Sequence, residues 1–353
     1  MAFSWNAWSP VNFTIDAGIL LSAIIFTFLL AKFFKLFVAS AVAFLLNLAI
    51  WSIIGFLSPF GLFFVARILW TSGTVVLPLL LAWLAYRSRR PLLWVPAALL
   101  VLCKYYGEVW EPSRLDIAHV TIKSDKVLRP IRITHLSDTQ TDGITKLYLD
   151  ARQASNDFHP HLILFTGDVL NHASLIPDLR SYFLGFNQSV GAFAVGGNVD
   201  GLLNLPSFSV SCGWTLLDAR EKTVSVEGVA VGLMGLGLGD TWNEPLLRSL
   251  VADAKGADLK LLLAHYPDAL FIAKGKGIDL QLSGHTHGGQ VCAPWGPLVT
   301  LSRVPNIVGA GGLHVVDGLR VLVSRGLGWE GHVAPRVRTF CRPQITLLEI
   351  VPS

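Results

Sequence analysis

The chain changes its pattern of apolar and polar positions once, near residue 110. Before that point four apolar runs follow one another, at about 15–31, 36–57, 60–86 and 91–110. Each is near or above the roughly 17 to 25 residues that carry a helix across a bilayer. A cleaved signal peptide would be a single short run, so the pattern predicts an integral membrane anchor of about four spans. The first run is short, and the third holds Arg67, which would mark a kinked or interfacial entry.

After residue 110 the apolar runs shorten and end in polar residues. Residues 111–130 are mixed and polar and read as a linker leading into a first strand near Val120. Residues 131–136 predict a strand that delivers Asp138, and apolar positions 144, 147, 148, 151 and 158 have helical spacing. Residues 162–166 form a buried strand ended by Gly167 and Asp168; a helix at 175–186 and a strand at 191–195 follow, the latter ended by Gly196, Gly197, Asn198, Val199 and Asp200. The scheme then repeats with a strand at 229–235, a helix at 244–254, a strand at 259–263 ending at His265, and a strand at 280–283 ending in a turn that holds His285 and His287. Strands at 313–316, 319–324 and 344–350 complete the chain. Strands alternating with helices predict two sheets packed face to face and covered by helices. The glycines between 232 and 239 are expected in tight turns at a sheet edge. The domains are therefore a transmembrane helical domain at 1–110, the linker at 111–130 and a catalytic domain at 131–353.

Composition sharpens the division. Seven of the eleven tryptophans precede residue 111, and almost all acids follow it. Trp51, Trp70, Trp83, Trp94 and Trp110 suit interfacial belts. Lys32 and Lys35 lie in one short loop and Arg87, Arg89 and Arg90 in another, so both loops are expected on the cytoplasmic side of a bacterial inner membrane. An even number of spans then sends everything after Trp110 to the outer side, although Lys104 and Arg114 dilute the bias. A transporter would show paired broken helices with intramembrane acids, and only Arg67 and Lys104 hint at that reading. The net charge of +4 with no dense basic run gives no reason to expect nucleic acid. Four cysteines without Cys-x-x-Cys spacing predict neither a disulfide framework nor a compartment.

The chemistry gathers at strand ends. Asp138, Asp168, Asn198, His265, His285 and His287 each fall just past a predicted strand. Any one alone would be an ordinary turn residue. Together, carboxylate and amide oxygens mixed with imidazoles suit two divalent first-row metals sharing one aspartate, a site that activates water and clamps a phosphoryl group.

With these residues the sequence resembles the calcineurin-like metallophosphoesterases, in particular their YkuE-type membrane-associated branch. The resemblance covers about 131–352 and rests on Gly167-Asp168, Gly197-Asn198, His265, Ser-Gly-His285-Thr-His287-Gly-Gly-Gln, the 323–328 run Val-Ser-Arg-Gly-Leu-Gly and the Pro343-Gln-Ile-Thr-Leu-Leu tail. It implies an α+β fold, a four-layered αββα sandwich. It also implies one metal on Asp138, Asp168 and His287 and another on Asp168, Asn198, His265 and His285, with Asp168 and Asn198 serving catalysis.

Two positions depart from the family. Its first motif, Asp-x-His, is here Asp138-Thr139-Gln140; an amide oxygen is a poorer zinc ligand than imidazole, so a harder metal such as manganese is expected, with zinc, iron or magnesium as alternatives, and water is the alternative ligand. Its Gly-Asn-His-Asp/Glu is here Gly-Asn-Val199-Asp200, so the histidine that meets the leaving oxygen, hydrogen-bonded to the following acid, is missing. His172, Asp142 and His135 are candidate replacements; His172 is assigned the role and His135 reads as packing. The expected activity is a membrane-anchored phosphoesterase or phosphoanhydride hydrolase whose partners are membrane lipid and a phosphorylated, lipid-linked substrate. Hydrolysis of a UDP-2,3-diacylglucosamine-type pyrophosphate is one alternative, although its nucleotide substrate would be cytoplasmic. A metal-binding pseudoenzyme serving as sensor or scaffold is another.

Overall fold

The computed structural model describes residues 10–330 and 333–353. The chain divides into a helical unit, residues 1–110 with 330–337, and a unit of sheets and helices, residues 111–329 with 338–353.

The helical unit contains α1 (Pro10–Leu30), α2 (Leu36–Leu57), α3 (Gly61–Thr71), α4 (Leu77–Ser88) and α5 (Trp94–Tyr105). A π turn at Ser72–Val76 joins α3 to α4. Four stretches, Val11–Leu30, Leu36–Leu57, Gly61–Ser88 and Pro91–Ser113, are long and apolar enough to cross a membrane. Arg67 is buried rather than interfacial: its guanidinium lies 2.8 Å from Asp16, which also accepts from the Thr71 hydroxyl at 2.7 Å. The same guanidinium donates to the Val333 and Ala334 carbonyls at 2.6 and 3.1 Å. A charge among apolar helices must be paired. Nothing in the local sequence shows that the partner lies 51 positions earlier.

The second unit opens with β1 (Asp116–Ser124), the strand expected near Val120, which takes up much of the stretch read as a linker. Its nine residues alternate in burial and pair in parallel with the last strand, so the polar positions that suggested a linker are the outward face of an edge strand. There follow β2 (Ile131–Leu136), α6 (Lys146–Phe158), β3 (Leu162–Thr166), α7 (Ile176–Leu184), β4 (Gly191–Val195), α8 (Leu205–Ser211), β5 (Thr215–Leu216), β6 (Arg220–Val226) and β7 (Val229–Leu236). Next come α9 (Glu244–Asp253), β8 (Leu259–Ala264), α10 (Leu270–Ala273), β9 (Leu280–Ser283), β10 (Cys292–Ala293), β11 (Gly296–Pro297), α11 (Asn306–Gly309), β12 (Gly312–Val316), β13 (Leu319–Val323) and β14 (Gln344–Pro352).

The strands form two six-stranded sheets, ordered β1-β14-β2-β3-β4-β5 and β12-β13-β9-β8-β7-β6. Ile133, Leu164 and Val195 of the first sheet share one core with Leu233, Leu263 and Leu282 of the second. Leu147, Tyr148, Leu179 and Phe183 from α6 and α7 cover the first sheet's outer face, and Leu247, Leu250 and Leu270 from α9 and α10 cover that of the second. The result is the α+β sandwich of four layers. Burial on both faces explains why β3 is apolar at four of its five positions, Thr166 at its end being the exception. Gly232 and Gly235 sit inside β7 rather than in turns; a Cβ on Gly235 would stand 2.3 Å from the Leu217 carbonyl oxygen, so close backbone approach requires glycine there.

The parallel pairing of β2, β3 and β4 brings their carboxyl ends to one edge, and that of β7, β8 and β9 does the same in the second sheet. Both sets of loops carry the polar residues singled out in the sequence, as is general for parallel sheets.

Candidate metal centre

Sharp turns aim these side chains. Asp138, Asp168, His285 and His287 all have left-handed backbones, with φ of 50, 63, 68 and 47°. Each such residue costs on the order of 1–3 kcal/mol, strain that clusters where geometry serves a site. Gly167, at φ 90°, lets two loops meet: a Cβ there would lie 2.7 Å from Gly197 N and 2.8 Å from His265 Nδ1.

Asp138, Asp168 and His265 offer buried ligand atoms within 4.8 Å of one another. His265 Nε2 lies 3.3 Å from Asp168 Oδ2 and 2.9 Å from Asn198 Oδ1, and His285 Nδ1 lies 2.9 Å from the same Asn198 oxygen. The other nitrogens of both rings face carbonyl oxygens: His265 Nδ1 the Thr166 oxygen at 2.7 Å, His285 Nε2 the Leu301 oxygen at 3.3 Å. Carbonyls only accept, so in the neutral rings those nitrogens carry the proton and the inward ones present lone pairs. With the amide oxygen on this side, three acceptors converge on one point, which a cation satisfies.

A second convergence stands beside it. Gln140 Nε2 donates to Asp168 Oδ2 at 2.9 Å, and His287 Nε2 lies 3.6 Å from Asp138 Oδ1. Gln140 Oε1 and His287 Nε2 are buried with no hydrogen-bond partner among the described residues. Buried polar atoms are seldom left orphaned. Their donor types, an amide oxygen, an imidazole and two carboxylates, fit a divalent ion.

The electrostatics agree. Burial pushes the Asp138 carboxyl up to about 7, the pull of His265 being opposed by the charge of Asp168. Burial alone would lower His265, but Asp168 and Asp138 hold it up at about 10. Burial lowers His285 to about 4, with His265 adding to the effect; burial and the nearby Arg338 carry His287 well below its usual value. His285 and His287 are thus held neutral, the ligating form, whereas His265 is held protonated between Asp168 and Asp138, a positive charge that a bound cation would supply in its place.

The remaining candidates part company here. His135 is fully buried, bonded to the Thr166 hydroxyl at 2.9 Å, and belongs to the core. His172 Nε2 lies 3.1 Å from Asp142 Oδ1, pairing two of the proposed replacements on adjacent loops. Val199 contributes its backbone, whose N–H donates to Asp168 Oδ1 at 2.9 Å. Asp200 is not free to orient a ring at position 199: its carboxylate accepts from the N–H groups of Asp168, Val169 and Gly197 at 3.0, 2.7 and 2.7 Å. Sequence reasoning missed Arg338, fully buried, which donates to the carbonyls of His287 at 3.3 Å and Arg325 at 2.8 Å and so fastens the His287 turn. With Arg336 and Arg342 close by in the sequence, nothing local singles it out. Cys292 and Cys341 are free, buried thiols that donate to the Gly288 and His287 carbonyls at 3.2 and 3.1 Å.

A family model described as calcineurin-like phosphoesterase matches residues 131–289. The chain is 29% identical over 269 residues to the uncharacterized metallophosphoesterase YkuE of Bacillus subtilis (strain 168), covering 69% of this chain and 88% of that one. It is 26% identical to the phosphodiesterase YaeI of Escherichia coli (strain K12), covering 75% of this chain and 99% of that one. Among solved structures, NAD nucleotidase of Haemophilus influenzae superposes at a TM-score of 0.42 and 12% identity, over 56% of this chain and 51% of that one.

Proposed function

We propose that this chain, a metal-dependent phosphoester hydrolase whose residues 131–289 belong to the calcineurin-like metallophosphoesterases, is a membrane-anchored enzyme that uses two divalent ions sharing Asp168. The observation that carries the reading is the double convergence of possible ligand atoms around Asp168, at Asn198 with His265 and His285 and at Gln140 with His287.

Asp138, Gln140, Asp168 and His287 would hold one ion, and Asp168, Asn198, His265 and His285 the other. Two such ions, when bound, neutralise phosphoryl charge and lower the pKa of a water. The chain's own contribution is orientation. The Val199 N–H fixes Asp168 Oδ1, the Thr166 carbonyl fixes the His265 ring, and Arg338 fixes the His287 turn. Gln140, with an oxygen donor where imidazole is usual, favours manganese. No imidazole stands at position 199, so the leaving oxygen departs without help there; His172, paired with Asp142, is the candidate for that proton, and a steep leaving-group dependence in the wild type would exclude it.

The four apolar helices support a membrane anchor, and the basic loops at Lys32/Lys35 and Arg87–Arg90 support an outward-facing catalytic unit. That anchoring is what supports a phosphorylated substrate carried by lipid. The test is turnover by the purified full chain, loaded with manganese, of an aryl phosphodiester, an aryl monoester and a pyrophosphate. A reporter fused after Ser353 should behave as extracytoplasmic. Silence of such fusions would favour the nucleotide-lipid reading, and no turnover of any ester would remove the enzyme reading.

A further inference from the structure

Beside the metal centre the catalytic unit carries a cleft of about 680 Å³ whose lining includes Trp242, Tyr266, Asp268, Thr300, Leu301 and Arg303. It reaches the centre at two points. Tyr266 follows His265 and packs its ring 4.1 Å from that of His285, and the Leu301 carbonyl faces His285 Nε2. The far wall is built as a unit: the Asp268 carboxylate accepts from the Ser302 hydroxyl and, at 2.9 Å, from Arg303 N, while the Arg303 guanidinium lies 5.0 Å from the centre of the Trp242 ring.

The stretch that forms this wall is unusually apolar on its outside. β10 and β11 make a short hairpin with Pro294 and Trp295 at its tip, and Trp295 is 86% exposed. Leu298, Val299 and Leu301 follow at 60, 55 and 49%, and Ile307 at 70%. Single exposed apolar residues are ordinary on a soluble surface, but five within thirteen positions around a cleft mark an interaction site. Tryptophan at a turn tip with leucine, valine and isoleucine behind it has the composition of a lipid-interface element.

We propose that the 294–307 loop dips into the lipid surface and passes the apolar chain of an amphiphilic phosphoester into this cleft, its phosphoester end reaching the metal centre past Tyr266 and Leu301. The inference rests on the phosphoesterase reading and adds a lipid-binding subsite with its residues.

The experiment uses the full chain, loaded with manganese, and two substrates with one leaving group: methyl and octyl p-nitrophenyl phosphodiesters, compared by kcat/KM. Burying even part of the longer chain, at about 0.8 kcal/mol per methylene, should give the wild type at least about a tenfold preference for the octyl ester. In the triple variant Trp295→Ser, Leu298→Ser, Ile307→Ser that preference should collapse towards unity, with the methyl ester showing that the variant folds. A wild type with no preference, or a variant that keeps it, overturns the loop assignment alone. No turnover of either ester by wild type overturns the phosphoesterase reading with it. Nanodiscs of brominated phosphatidylcholine give an independent readout: the emission difference between wild type and Trp295→Phe should be quenched, and an unquenched difference overturns the proposal in favour of a non-lipid partner.

Discussion

The Asp200 carboxylate accepts the main-chain N–H of Asp168 at 3.0 Å, so the acid behind the metal-site turn holds backbone rather than a catalytic ring. With Val169 and Gly197 it closes three amides of two loops, and burial together with the Asp168 charge pushes its carboxyl up to about 6. Asp200→Asn keeps the shape but turns an amide group towards one of those donors. Loss of a charged acceptor is worth about 1.5–3 kcal/mol, so kcat/KM should fall roughly 10- to 100-fold and metal affinity should weaken. Wild-type kinetics in this variant would show that the turn stands without it.

Position 199 sets the second expectation. Because no side-chain acid stands there, the wild-type rate should depend steeply on leaving-group pKa, with anhydrides and aryl esters ahead of alkyl diesters. Val199→His should flatten the slope, but with Asp200 committed to amides it should recover less than the roughly 10²-fold of an oriented acid. The measurement is kcat/KM across a leaving-group series. A shallow wild-type slope that steepens in His172→Ala would identify His172 as the proton donor.

Gln140 Oε1 supplies the third. Gln140→Ala should weaken one metal site and spare the other, and Gln140→His should tighten it while shifting preference from manganese towards zinc. Titration of both metals into wild type and variants checks this. Unchanged affinity in Gln140→Ala would give the position to water.

The fourth concerns pH and a residue away from the chemistry. Burial lowers the His135 imidazole to about 3, whereas in an unfolded chain it titrates near 6.5. Below about 6.5 the unfolded state gains a proton that the folded state refuses. Stability should therefore fall as pH drops from about 6.5 towards 3, by up to about 1.4 kcal/mol per unit from this group. His135→Gln should flatten the Tm-against-pH curve over that window. Parallel curves would mean that His135 is not held neutral.

Much of this was legible in the sequence because the signals are local. A strand that ends in Asp168 or His265 announces both the strand and the residue at its mouth, and four long apolar runs announce helices. What escaped was set by partners distant in the chain. A strand was expected near Val120, but the extent of β1 was hidden because its pairing with β14 is not visible locally. The role of Asp200 depends on backbone amides of a loop some thirty positions earlier, and Asp16 gains its meaning from Arg67. Gly235 read as a turn because its neighbour, the Leu217 carbonyl, approaches only in the folded sheet.

The central claim is a pair of metals bridged by Asp168, and metal content measured on purified full-length protein tests it most directly. Wild type dialysed against manganese should retain two ions per chain by elemental analysis, and Asp168→Ala should retain none while keeping its fold by circular dichroism. Equal metal content in wild type and a folded Asp168→Ala would contradict the account.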